Sequence, residues 1–155
     1  MTAPVDRPAT AAGDTLFVAS RLFGPLNLPA DQVITMPEGM LGFAGERRFV
    51  LLPASPEGVF WFQNVDDGAL IFLLIDPFLY FPGYVVDAPD VPDSRTPDMA
   101  ALTIVTLPRT PREECTVNLQ GPLVIDFSSR SARQVIQEDN RYHTRHPVDI
   151  RSKVA

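Results

Sequence analysis

The chain has 155 residues, a formal net charge of −6 and a single cysteine, so it fits one domain, can bury a core without staples and holds no internal disulfide. Its 45% hydrophobic and 21% charged residues exclude a disordered chain, and no window approaches the ~20 apolar residues of a membrane helix. Sixteen prolines against nine glycines disfavour long helices and central strands, because each proline removes a donor and fixes φ.

Residues 1–14 are small and polar, carry Pro4 and Pro8, and lack the apolar stretch of a signal peptide. They are expected to form a disordered tail, and the cytoplasm is the expected compartment. The compact domain is assigned to residues 15–147, with a flexible tail over 148–155. Strand signals follow at short intervals: residues 15–23, stopped by Gly24-Pro25, then 32–36, 47–52, 59–65, 70–75, 84–87, 102–107, 116–120, 123–127 and 133–136. No segment has a convincing helical period. The expected fold is all-β: one small antiparallel barrel or sandwich of about 8–10 short strands, with few or no long helices.

Turn chemistry supports that class. Asp66-Asp67-Gly68 lies between two strand-like runs, so residues 59–75 read as a hairpin in which Gly68 supplies a positive φ. Val117-Asn118-Leu119-Gln120 alternates apolar and polar, marking one buried and one wet face. Gly121-Pro122 then interrupts the run as a bulge or corner. Residues 88–100 form the longest interior loop, with a helical turn expected near residues 97–101.

Charge is uneven. Residues 64–100 hold seven acids against one base, Arg95, whereas residues 128–155 hold six bases against three acids. An acidic middle repels phosphate backbones and favours basic protein partners, unless it serves only solubility.

The search for chemistry yields little. His143 and His146 beside Asp139 lack the helical i, i+4 face and third fixed ligand of a zinc site. Asp66 and Asp67 are adjacent and point apart. No nucleophile elbow or phosphate loop is present, and Cys115 reads as a small strand residue. No catalytic residue, metal, cofactor or small-molecule substrate is therefore assigned. A basic C-terminal segment with Tyr142 offers an RNA-binding alternative, which the overall acidity opposes. A small-molecule enzyme with a non-obvious site is the other alternative.

Asp76-Pro77-Phe78-Leu79-Tyr80-Phe81-Pro82-Gly83-Tyr84 stands out, with four aromatics in a proline-bounded corner after an apolar strand. Its rings either plug one end of a barrel or form an exposed anchor for a partner. Phe78, Leu79, Phe81 and Tyr84 are the candidate apolar contacts, and Asn118 and Gln120 the candidate polar ones from the wet face.

This stretch resembles the D-P-F-x-F-F-P-x-Y segment of the flagellar assembly factor FliW family. Pro37-Glu38-Gly39-Met40-Leu41-Gly42-Phe43 is similar to the family's early G-hydrophobic-x-G-F turn, and Arg48-Phe49-Val50-Leu51-Leu52 to the strand after it. Phe62-Gln63-Asn64-Val65-Asp66-Asp67 resembles its L-Q-S-hydrophobic-x-D. Thr116 to Ile125 is similar to its T-V-N-L-Q-A-P-I-V-I. Ala132-Arg133-Gln134-Val135-Ile136, then Tyr142, Arg145, His146 and Pro147, resemble its A-R-Q-V-I and Y-x-x-R-H-P ending. Departures fall at Phe62, Gly68 and Gly83, where the family favours leucine, proline and an acid. The resemblance implies a small β-barrel in the cytoplasm that is not an enzyme. It also implies two protein partners, flagellin and the CsrA-type translational repressor, which the protein binds in alternation, and no direct contact with nucleic acid or membrane.

Overall fold

The structure, a computed structural model, describes residues 14–151. The expected N-terminal tail up to residue 13, and residues 152–155 of the expected C-terminal tail, lie outside the described residues. The elements in chain order are β1 Thr15–Ser20, β2 Gly24–Pro29, β3 Ile34–Thr35, β4 Arg48–Pro53, β5 Val59–Asn64, β6 Ile71–Ile75, the one-turn helix α1 Pro77–Tyr80, β7 Met99–Thr106, β8 Cys115–Val117, β9 Leu123–Asp126, β10 Ser131–Gln134 and β11 His146–Val148.

The strands close into a barrel in the order β7-β6-β5-β4-β3-β10-β9, with β9 returning to β7. β7 makes closure possible because its two halves do different things. Met99 to Leu102 pair with β9, whereas Thr103 to Val105 pair with β6. On the edge that β9 has left, Val105 and Thr106 pair with β8, which in turn carries β11. Gly121-Pro122 sits where the chain passes from β8 to β9, and is the expected corner. Among the described residues the one parallel contact is a single bridge, Ser131 to Thr35, between β10 and β3, and every other ladder is antiparallel.

Side-chain parity explains why the barrel wall is apolar on both faces. Phe62, Leu74, Leu102, Leu123 and Ile125 point inward with Ile34, Met36 and Phe49, and Phe49 stacks on Phe62 at 4.4 Å. The alternate residues Val59, Leu73, Ile75, Ala101, Val105, Val117 and Val124 point outward into a second cluster. That outer cluster is covered by α1, the chain after it and residues from the C-terminal segment, including Val135, Tyr142, Val148 and Ile150. The β1–β2 hairpin covers Val50 of β4 and Val65 with Val18, Leu16, Leu26 and Leu28. The C-terminal segment thus packs on the barrel through β11 and Ile150.

Several local expectations change. β1 already ends at Ser20, Gly24-Pro25 opens β2 instead of stopping a strand, and residues 84–87 are not a strand. No helical turn forms near residues 97–101; instead Thr96 Oγ1 accepts the amides of Asp98 and Met99 at 3.2 and 3.0 Å, and β7 begins there. β5 and β6 form the expected hairpin. Its Gly68 is not among the glycines with positive φ; glycine is needed for space, because a Cβ would collide with the Ala19 carbonyl.

Candidate partner-binding surface

The aromatic corner begins at Asp76, which ends β6 and caps α1. Its Oδ1 accepts the Phe78 amide at 3.1 Å and its Oδ2 accepts Arg95 Nε at 2.7 Å. Pro77 opens the turn, where its missing N–H costs nothing. The helix stops after one turn because Pro82 and Gly83 follow, the latter at φ +83. The rings therefore lie on the outer wall of the barrel, not in its mouth.

Their exposures differ, and that sorts the candidates. Tyr84 is 4% exposed, and its hydroxyl donates to the Leu119 carbonyl at 2.7 Å. Burial pushes its phenol far above the ordinary value. Tyr84 is a core residue and offers no face to a partner. Tyr80 is also buried, and its hydroxyl donates to the Ile150 carbonyl at 2.5 Å. Phe78, Leu79 and Phe81 remain half-buried. Leu79 packs over Gly58, whose φ of +89 and absent side chain leave room for it, and Phe81 stands 6.1 Å from the His146 ring.

Asn118 and Gln120 are half-exposed, as the alternation implied, and Val117 and Leu119 are buried. Asn118 is occupied, however: its Oδ1 accepts the amides of Gln120 and Gly121 at 3.0 and 2.9 Å and so builds the corner. The bond from Tyr84 to Leu119 brings the two candidate segments side by side.

Three contributors were missed in the sequence. Gln137 is 1% exposed; its Oε1 accepts the Asp87 amide at 2.8 Å and its Nε2 donates to the Val85 carbonyl at 2.6 Å. Tyr142 accepts the Val85 amide at 3.0 Å and meets the Tyr84 ring at 4.7 Å. Val85 itself is 55% exposed and extends the apolar surface. Only Tyr142 carried a signal, as part of a resembling block. Phe17, Leu22, Phe23 and Leu107, which read as ordinary strand sequence, are also exposed; Phe23 and Leu107 line one cavity with Trp61, which Phe23 meets edge-on at 6.3 Å.

The charged segments face each other in part. Arg133 meets Asp90 at 3.1 Å, Arg141 meets Asp139 at 2.8 Å and Arg151 meets Asp149 at 3.4 Å. Three of the five described C-terminal bases are thus tied to carboxylates, which breaks up a continuous positive stripe. The two histidines stack at 3.6 Å, and His146 Nε2 accepts the His143 amide at 3.0 Å, which leaves that nitrogen committed. Among the described residues, no group of three or more His, Cys, Asp or Glu is placed to hold a metal, and no helix is long and apolar enough to cross a membrane. Cys115 is half-buried in β8 and packs against the outer cluster.

The fold and this surface define a class: a small closed β-barrel with a wrapped outer wall and candidate contacts on the wrap. The chain belongs to the FliW family, whose sequence model, "FliW protein", matches residues 17–148. It is similar to the flagellar assembly factor FliW of Treponema pallidum, at 35% identity over 84% of this chain and 90% of that protein. The Bacillus subtilis protein of the same name is 30% identical over 86% of this chain and 96% of its own length. A crystal structure of the flagellar assembly factor FliW superposes with a TM-score of 0.71 at 30% identity, covering 84% of this chain and 95% of the other.

Proposed function

We propose that this protein is a cytoplasmic, non-enzymatic flagellar assembly factor that binds flagellin and, when free of it, binds and antagonises a CsrA-type translational repressor. Synthesis of flagellin would then follow its removal from the cytoplasm. The observation that carries this reading is membership of the FliW family across nearly all described residues. The surface supports it. In the chain after α1, Phe81 is half-buried, Val85 and Asp87 are exposed, and Asp93 and Asp98 are exposed further along the same loop. Such a surface suits a basic, RNA-binding partner, where charge speeds encounter and repels competing RNA. Direct RNA binding is disfavoured by the pairing of Arg133, Arg141 and Arg151.

Phe78, Leu79, Phe81, Asn118 and Gln120 remain the proposed contacts, now without Tyr84. Affinity capture from the source bacterium with tagged full-length protein should recover flagellin or a CsrA homologue, and recovery of neither would sink the reading. Phe81→Ala should leave the fold intact and weaken at least one of the two partners in calorimetric titration. Unchanged affinity for both would move the site elsewhere.

A further inference from the structure

The barrel is closed by one bridge at its weakest seam, and the seam opens into a groove. β3 has two residues, and only Thr35 meets β10. Met36 turns its amide to Arg47 on the β4 side at 2.7 Å, and at Pro37 the chain swings away. β10 runs on without that neighbour. Backbone parity gives the direction of its free groups. The amides of Val135 and Gln137 donate to Pro122 and Gln120 on the β9 side, whereas the Arg130 carbonyl accepts Thr35. Even-numbered residues therefore face the seam. The Ala132 carbonyl and the Gln134 N–H and C=O look across the groove at the turn of residues 37–44. Among the described residues no backbone hydrogen bond crosses from them to that turn. The crossing is made by a side chain, with the Leu41 amide donating to Gln134 Oε1 at 3.0 Å.

The groove has a volume of about 510 Å³ and includes Met40, Leu41, Ala132 and Ile136 in its lining. Met40 and Ala132 are buried, whereas Leu41 is 71% and Ile136 50% exposed, so the rims are apolar and open to solvent. Gly39 and Gly42, at φ +69 and +85, keep the turn narrow. Glu38 and Asp126 bring negative charge to the lining, while its one base, Arg133, is held on Asp90 at 3.1 Å. An open strand edge beside an apolar slot is what strand addition requires: main-chain bonds give affinity and the slot reads alternate side chains.

We propose that this seam takes an extended segment of a protein partner as an added strand against β10. An apolar side chain of that segment enters between Met40 and Ile136, and a basic one faces Glu38 and Asp126. The inference uses none of the residues assigned above to flagellin or repressor binding, and stands or falls separately from that reading.

The test titrates the ¹⁵N-labelled full-length chain with the alternating peptide Ac-KVKVKVK-NH2. Amide shifts should concentrate at residues 40–42 and 131–136, and exchange of the Gln134 amide should slow. Leu41→Asp, at an exposed rim position, should weaken binding about tenfold, and methylating alternate peptide nitrogens should do so by a similar factor or more. The acidic counterpart Ac-EVEVEVE-NH2 should bind at least about tenfold more weakly. No perturbation at residues 131–136 at millimolar peptide, or equal binding of the N-methylated peptide, would overturn the proposal. So would a dimer in sedimentation that Leu41→Asp dissolves, since the edge would then belong to a second copy.

Discussion

The Tyr84 hydroxyl donates to the Leu119 carbonyl from inside the wrap, where the tyrosine is 4% exposed. Tyr84→Phe should therefore cost about 1–2 kcal/mol in urea unfolding, the expense of an orphaned buried carbonyl. Two glycines give a paired test of space against backbone angle. Gly83→Ala meets no neighbour but must hold φ +83, which should cost about 1–2 kcal/mol. Gly68→Ala drives a methyl into the Ala19 backbone and should cost more than about 2 kcal/mol, because the β1–β2 hairpin must shift. Equal losses would show that the hairpin yields freely. The turn at Asp66-Asp67-Gly68 was legible in the sequence, yet the reason for its glycine was not, since Ala19 lies far away along the chain. His146 is held below its ordinary value of 6.5 by burial and by His143. As pH falls through 6.5 the unfolded chain binds its proton first, so the stability supplied by neutral His146 is full above that value and declines below it. His146→Gln should flatten this part of the curve between pH 7.5 and 5.5 in urea midpoints; an unchanged slope would show that other groups set it.

At the scale of elements, α1 is too short to stand alone and depends on Asp76. Asp76→Ala removes both the cap on Phe78 and the buried partner of Arg95, and about 2 kcal/mol should be lost. Asp76→Asn keeps a capping oxygen and should recover part of that. Full stability in Asp76→Ala, measured by thermal unfolding, would mean that packing of Tyr80 alone fixes the corner. The same scale explains which strands could be read. β5 and β6 are long apolar runs around a clear turn, and their sequence sufficed. β2 was hidden because Pro25 and Pro29 look like breakers; they are tolerated because, among the described residues, β2 pairs with β1 alone. Residues 84–87 have strand composition, but side chains take their amides: Tyr142 receives Val85 and Gln137 Oε1 receives Asp87. β11 spans three residues and pairs with β8 across a long gap in sequence, so nothing local announced it.

For the whole molecule, the barrel and its β1–β2 cover are bound unequally. The hairpin leans on Val50 and Val65 through few large side chains, and the Arg21 amide donates to Gly68 at 2.8 Å. The central ladder of β5, β6 and β7 is packed on both faces. Native-state hydrogen exchange should show residues 15–29 opening with a lower free energy than residues 59–75, without loss of protection in β6. A single shared opening energy would contradict this. The all-β class was legible in the spacing of short runs, which left barrel and sandwich open, and the family resemblance pointed to the barrel. The closure was not, because it depends on β7 serving two partners along one strand.

A wall that is apolar on both sides also limits how this molecule can meet others. Were a visitor to strip the whole wrap, α1 with the chain after it and the C-terminal segment, it would bare Leu73, Ile75, Val105 and Val117 together. Each such side chain costs about 1.5–3 kcal/mol to expose, so the sum would exceed what most contacts return. Over this part of the wall a visitor is therefore held to the outside of a coat that stays on. Substitutions at Phe81, Val85 or the acidic loop repaint that outer face, while Tyr80 and Tyr84 beneath stay as lining.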